Sequence, residues 1–405
     1  MALIVQKFGG TSVGSLERIE KVAEIVSLEQ QKNNQVLVVV SAMAGETNRL
    51  VALAQGLSPE PNRLALDMIL ASGEQVSCGL LAIALEKRGI KALPLLAFQA
   101  GIKTNEIFSD ARIASIHTEL LKKNIDRGIV PIVAGFQGIY EDEDKFEYLT
   151  TLGRGGSDTS GVALAAALKA DRCDIYTDVA GVYTADPRVV KKAKPIDEIS
   201  FSEMMELASL GAKVLHMRSV EIAAKYKVPL RVCSTFEPEK KGTYIIGEEN
   251  MIEAPVVSSV TSSLSECLIK MTVKEVDAQF PARLLKPLAD AHINIDIILR
   301  SANNNGFCTF NLSCPRSEMN RTLEILKEYT PSVVLEKAAK LSIVGVGMKT
   351  HSGVAAKMFE ALEKIDVPIQ LITTSEIKVS VVIAEKDLDR SIIELHTVFG
   401  LDKED

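Results

Sequence analysis

Short runs of apolar, largely β-branched residues alternate with longer stretches in which apolar residues recur every three or four positions. The runs Leu3–Val5, Val36–Val40, Ala92–Ala97, Val130–Ala134 and Asp174–Thr177 read as strands. Leu16–Gln30, Asp110–Arg127 and Ser157–Lys169 read as helices. In the first helix Leu16, Ile19, Val22, Ala23 and Val26 form one apolar stripe. Alternation of this kind implies βα crossovers, and hence an α/β fold with a mainly parallel sheet sandwiched by helices. Pro238, Lys240, Lys241 and Gly242 mark the exit from a first domain, 1–247, and 248–263 reads as a linker.

The pattern then repeats. Ala282-Arg283-Leu284-Leu285-Lys286 superposes on Ala356-Lys357-Met358-Phe359-Glu360, 74 residues on (282 to 356). At the same offset Ile295-Asp296-Ile297-Ile298 falls on Ile369-Gln370-Leu371-Ile372, and Ser301 on Ser375. Each copy reads strand, helix, strand, strand, helix, with a further strand, Val333–Glu336, after the first. This is the ferredoxin-like βαββαβ pattern, in two copies expected over 264–338 and 339–405.

At 405 residues the chain has room for two to four domains. Apolar residues make up 47% and charged residues 24%, as in an ordinary globular protein. A net charge of −7 argues against a nucleic-acid partner. No uninterrupted apolar run approaches the ~18 residues of a membrane span, so no membrane partner is expected. The start, Met-Ala-Leu-Ile-Val-Gln-Lys, has no signal-peptide pattern, and the expected location is cytoplasmic. The six cysteines form no C-x-x-C pair and are expected to serve as small hydrophobes.

Five stretches carry candidate chemistry. Lys7-Phe8-Gly9-Gly10-Thr11-Ser12 follows the first strand: adjacent glycines admit a backbone to phosphate oxygens, and Lys7 adds a full charge. Ser41, Thr47 and Asn48 lie beyond the second strand, at the sheet edge where α/β proteins bind ligands. Glu74, in Ala71-Ser72-Gly73-Glu74, precedes an apolar helix over Val76–Leu85 and offers a carboxylate for an ammonium. Gly153-Arg154-Gly155-Gly156-Ser157-Asp158 surrounds an arginine with three glycines, and its rigid fork suits a carboxylate or phosphate. Thr177-Asp178-Val179-Ala180-Gly181-Val182-Tyr183-Thr184-Ala185-Asp186-Pro187-Arg188 is a long loop suited to a base and ribose. Lys213, beside Gly211, adds a second cation.

Together these stretches resemble the aspartate kinases of the amino-acid kinase superfamily, in family order and over essentially the whole chain. The resemblance implies transfer of the γ-phosphoryl group of ATP to the side-chain carboxylate of L-aspartate, with Mg²⁺ on the ATP phosphates rather than in a protein cage. Lys7 and Lys213 would flank the transferring group and Asp158 would hold them. Arg154 would grip the α-carboxylate of aspartate and Glu74 its ammonium, with Thr47 and Ser157 beside them. Phe8, Gly9, Gly10, Ser41, Thr177, Asp178, Tyr183, Thr184, Ala185, Asp186, Pro187 and Arg188 would complete the ATP site. The C-terminal repeat would be a pair of ACT domains that bind lysine, threonine or both through Asn294, Ile295, Asp296, Ser352, Gly353 and Val354.

The resemblance also implies a homo-oligomer, or an oligomer with a shorter C-terminal form of the chain starting near Met251. A different amino-acid kinase, acting on glutamate or N-acetylglutamate, is the alternative enzyme; a non-catalytic amino-acid sensor is the alternative outside enzymes. The first repeat departs from the family. Where relatives read Asp-x-Pro-Gly before the first helix, this chain has Asp277-Ala278-Gln279-Phe280, while the second copy keeps His351-Ser352-Gly353-Val354. Weakened or altered effector binding by the first copy is the expected consequence.

Overall fold

The computed structural model describes residues 1–405 except 211–213, 251–254, 275–276, 303–305 and 404–405. Lys213 and Met251 lie outside the described residues. The chain divides into two units, 1–183 with 195–253, and 184–194 with 254–405.

The first unit runs β1 (Leu3–Phe8), α1 (Leu16–Gln31), β2 (Gln35–Val40), α2 (Glu46–Leu57), α3 (Arg63–Glu86), β3 (Ala92–Leu95), β4 (Ile102–Thr104), β5 (Ile113–Ile116), α4 (Glu119–Ile125) and β6 (Val130–Ala134). It continues through β7 (Gln137–Glu141), β8 (Glu147–Thr151), α5 (Gly156–Leu168), β9 (Arg172–Thr177), β10 (Glu198–Ser200), α6 (Phe201–Ser209), α7 (Met217–Tyr226), β11 (Leu230–Ser234) and β12 (Thr243–Ile246). Eight strands form one sheet in the order β10-β12-β11-β9-β1-β2-β6-β3. Every neighbouring pair is parallel except β11 with β12. β1 lies inside it, with Lys7 level with Val39 of β2 and Ile175 of β9.

Strand alternation sends Lys7 and Phe8 to opposite faces. Phe8 stacks on Tyr176 with centroids 4.7 Å apart, in a core shared with Val22 and Val26 of α1 and Leu81 and Leu85 of α3. α5 covers the face of Lys7. β5, β4, β7 and β8 form a separate four-stranded sheet.

Two sequence expectations are corrected here. The helix expected over Asp110–Arg127 is strand β5 followed by the short helix α4, since Ile113 and Ile116 pair with β4 rather than forming a helical stripe. The helix expected to begin at Val76 begins at Arg63, so Gly73 and Glu74 lie well inside it. Gly73 is not a break: a Cβ there would come within 2.7 Å of the Ala42 Cβ, so glycine lets α3 approach the end of β2. α3 is also long and apolar enough to cross a membrane by composition, but more than half of its most apolar stretch is buried in this fold.

The second unit contains β13 (Ser259–Lys274), α8 (Phe280–Asp290), β14 (Ile298–Ala302), β15 (Phe307–Pro315), α9 (Met319–Ile325), β16 (Ser332–Val344), α10 (Val354–Lys364), β17 (Leu371–Thr374), β18 (Lys378–Ala384) and α11 (Leu388–Val398). Its six strands lie in the order β14-β15-β13-β16-β18-β17. β13 and β16 are long because each serves both copies of the repeat. Glu266–Lys274 pairs with β15 in the first copy, whereas Ser259–Ser263 pairs with Lys340–Val344 and supplies the fourth strand of the second. Register shifts between Ser263 and Ile269 accommodate the handover. The stretch read as a linker, 248–263, therefore already contains the start of a strand. All six cysteines are free and buried.

Val260 is 2% exposed in the core of the second copy, opposite Ile343. Val260→Asp in the full chain is expected to cost on the order of 3 kcal/mol or more by burying an unpaired charge. Hydrogen exchange should quicken across Leu341–Val344 and Val379–Ile383. Faster exchange confined to 259–263 would contradict the shared-strand arrangement.

Candidate active site

The carboxyl-terminal ends of β1 and β2, the start of α5 and the middle of α3 converge around Lys7. Its ammonium lies 2.6 Å from Asp158 Oδ1, and Lys7 is only 7% exposed. The approach lacks hydrogen-bond geometry at that oxygen, so charge holds the pair. Such a cation must be paired, because an isolated ammonium out of water costs several kcal/mol. Gly161, one turn along α5 from Asp158, makes the close packing possible: a Cβ there would stand 3.1 Å from the Lys7 Cβ.

Beside this pair Ser41 Oγ donates to Ser157 Oγ at 2.8 Å, joining the end of β2 to α5. Gly135 lies under the contact, where a Cβ would meet the Ser157 Cβ at 2.9 Å and the Val40 carbonyl at 3.0 Å. Gly9 N–H donates to the Tyr176 carbonyl, and a Cβ on Gly10 would fall 2.9 Å from the Ala42 carbonyl. Gly9 is buried, and Gly10, half-buried, also accepts the Ala44 N–H at 3.1 Å, so the two glycines let the β1 loop pack closely on the ends of β2 and β9. Phe8, expected at the ATP site, is instead a core residue: it is 0% exposed, its ring packs on the other face, and its carbonyl accepts the Ser41 N–H at 3.0 Å.

Glu74 reaches this edge from α3. It is 4% exposed, and its Oε1 accepts the Ala42 N–H at 3.0 Å. Its Oε2 has no hydrogen-bond partner among the described residues. Burial pushes its carboxyl up to about 7, against the lowering effects of backbone N–H bonds and the charge of Lys7. A buried carboxyl oxygen without a partner can accept a hydrogen bond from a cationic donor. Thr47 is half-buried in the first turn of α2, whose N-cap is Gly45 at φ 82°.

Arg154 lies on the loop between β8 and α5, with Gly153 at φ 73° and Gly155 at φ 67° on either side. Both glycines are in the left-handed region, and a Cβ on Gly155 would strike the His216 Cβ at 2.2 Å. Arg154 is exposed and makes no ion pair or hydrogen bond among the described residues.

Thr177, Asp178 and Tyr183 belong to the first unit: Thr177 Oγ1 donates to Asp178 Oδ1 at 3.1 Å, and Tyr183 bridges to Pro195. Thr184, Ala185, Asp186, Pro187 and Arg188 belong to the second. There Ala185 is 4% exposed in the apolar core, Thr184 bonds His396 at 2.9 Å, and Arg188 pairs with Asp186 at 2.6 Å. Sequence reading took the stretch as one loop; the chain changes units between Tyr183 and Thr184.

Of the expected effector residues, Asn294 is exposed, Ile295 packs on the core of the first copy and Asp296 pairs with Lys340. Ser352, Gly353 and Val354 open α10, where Gly353 at φ 89° is an N-cap with no side-chain bond. At the start of α8 the situation differs: Asp277 Oδ1 accepts the Gln279 N–H, and Oδ2 pairs with Arg283 at 3.0 Å.

The amino acid kinase family profile matches residues 2–234, and an ACT domain profile matches 341–399. An aspartate kinase of Stutzerimonas stutzeri is 49% identical over 411 residues, 99% of this chain and 98% of its own length. The aspartokinase of Pseudomonas aeruginosa is 48% identical over 412 residues, at the same coverage. The structure of E. coli aspartokinase III in complex with aspartate and ADP aligns with a TM-score of 0.79 at 27% identity, covering 98% of this chain and 99% of that one. The same enzyme in complex with lysine and aspartate aligns at 0.74 and 26%, with the same coverage. The chain belongs to the amino acid kinase family, and within it to the aspartate kinases.

The Glu74 carboxyl titrates near 4.5 when unfolded and near 7 in the fold. Between those values the folded state holds the extra proton, so stability rises as pH falls from about 7 toward 4.5. Thermal unfolding of the ligand-free protein should show this gain for the wild type, and Glu74→Gln should remove part of it. An unchanged pH profile in the variant would mean that Glu74 titrates normally.

Proposed function

We propose that the chain transfers the γ-phosphoryl group of ATP to the side-chain carboxylate of aspartate. The observation that carries this reading is the juxtaposition, at one sheet edge, of a buried lysine paired with Asp158 beside the Gly9-Gly10 loop and a buried carboxyl with one oxygen that has no partner among the described residues. The first pair suits phosphates and the second suits an ammonium. Lys7, Gly9, Gly10 and Ser41 face the phosphates, with Thr177, Asp178 and Tyr183 toward the base and ribose. Lys213 is assigned to the phosphates by its motif.

Glu74 takes the substrate ammonium and Arg154 its α-carboxylate, with Thr47 and Ser157 alongside, which aims the remaining carboxylate at ATP. That carboxylate is already a nucleophile, so the protein supplies position and charge rather than a base. Asp158 is engaged by Lys7; Mg²⁺ carried on the ATP phosphates would add charge neutralisation there.

In an assay of ADP release with aspartate, Lys7→Ala should lower kcat by ~10²–10³ with the fold intact. Arg154→Ala and Glu74→Ala should each raise KM for aspartate and leave KM for ATP nearly unchanged. A Lys7→Ala enzyme within a few-fold of wild type, or selective loss of ATP binding in either of the other two, contradicts these roles.

The ACT-type repeat fits feedback by an amino-acid end product, lysine, threonine or both. The open N-terminus of α10 can receive an effector carboxylate. That of α8 is already served by the chain's own Asp277, so the second copy carries most of the effector affinity. Calorimetric titration of the full chain should show binding abolished by Gly353→Val and altered by Gln279→Gly. Micromolar, cooperative binding of lysine and threonine together, insensitive to Gln279→Gly, would contradict the assignment.

A further inference from the structure

Two buried ionic side chains outside the substrate grip hold the backbone that carries Arg154. Asp67 of α3 is 0% exposed and accepts four hydrogen bonds. Its Oδ2 takes the backbone N–H groups of Ser109, at 2.9 Å, and Thr151, at 2.8 Å. Its Oδ1 takes the hydroxyls of the same two residues, both at 2.8 Å. Arg218 of α7, 8% exposed, donates to the carbonyls of Leu152 at 2.8 Å and Ala111 at 2.7 Å. Ala111 N–H in turn donates to the Thr151 carbonyl at 2.9 Å. The segments 109–111 and 151–152 are thus laced together and tied to two helices by charge-assisted bonds, about twice as strong as neutral ones.

A fold needing only a filled space there would not bury two charges, because taking each out of water is costly. What the bonds fix is position. Arg154 follows Thr151 by three residues, its guanidinium has no partner among the described residues, and a left-handed glycine adjoins it on each side. Its placement therefore depends on the backbone anchored immediately before it. The same α3 carries Glu74, seven residues and two turns beyond Asp67, roughly 10 Å along the axis and on the same face.

We propose that Asp67 and Arg218 are positioning residues for the aspartate grip, Asp67 setting the span between Glu74 and Arg154 from one rigid helix. The proposal rests on Arg154 holding the substrate carboxylate. Steady-state kinetics of the full chain test it. Asp67→Leu and Arg218→Met should each raise KM for aspartate about tenfold or more, with KM for ATP within about twofold. Asp67→Asn should stay near wild type, because its oxygen can keep the two N–H bonds while the Ser109 and Thr151 hydroxyls turn to accept from its amide.

Arg154→Ala is measured alongside, and in the Asp67→Leu background. If Asp67 acts through Arg154, the double variant has the aspartate KM of Arg154→Ala alone. Multiplying effects, or a normal aspartate KM in Asp67→Leu beside a raised one in Arg154→Ala, overturns the proposal. A normal KM in Arg154→Ala itself refutes the substrate role of Arg154 and takes the proposal with it. Should Asp67→Leu fail to fold, Ser109→Ala with Thr151→Val removes the hydroxyl bonds and keeps the backbone pair. A several-fold rise in aspartate KM alone is then expected, and an equal rise in both KM values contradicts the proposal.

Discussion

A lysine ammonium in the middle of a buried parallel sheet must be paired, and the pairing of Lys7 with Asp158 constrains most of the surrounding structure. Lys7 is fixed by β1, between β2 and β9. Asp158 must then come to it, which sets how closely α5 lies on the sheet and requires glycine at position 161. Once α5 is placed, its first turn brings Ser157 to Ser41, and the loop ahead of it presents Arg154. The charge that would neutralise a transferring phosphoryl group therefore also sets the local register.

Close backbone approach is the second constraint. Gly10, Gly73, Gly135 and Gly161 each sit where a Cβ would press on a neighbour at 3.1 Å or less. Together they draw the β1 loop, the β2 loop, α3 and α5 into one narrow edge. A wider arrangement would admit water to Glu74 and return its carboxyl to the ordinary range. The elevated proton affinity of Glu74 and the tightness of the glycine contacts thus have one cause.

Much of this was legible in the sequence. The alternation of strands and helices gave the parallel sheet, and the glycine-flanked motifs marked the converging loops. Lys7 pairs with Asp158, Ser41 bonds Ser157 and Glu74 bonds the Ala42 N–H at one sheet edge, and the order of the motifs along the chain resembles the family to which it belongs. What stayed hidden depends on distance along the chain. Gly73 looked like a helix start because its true reason is contact with Ala42, far away in sequence. Asp67 was overlooked, although a lone carboxylate in the apolar run Leu64-Ala65-Leu66-Asp67-Met68-Ile69-Leu70 was its signal. The missing last strand of the second repeat could not be found downstream because Ser259–Ser263, upstream, provides it. No local pattern announces that the chain changes units after Tyr183.

The central claim is that Lys7 and Asp158 work as one charged unit at the phosphoryl-transfer position. A double-mutant cycle on the single-turnover rate, with both substrates saturating, tests it most directly. With Lys7→Met, Asp158→Asn and the pair together, the double variant should be about as slow as the slower single variant, because either change alone disables the unit. Independent, multiplying losses, or an Asp158→Asn enzyme turning over at the wild-type rate, would contradict the account.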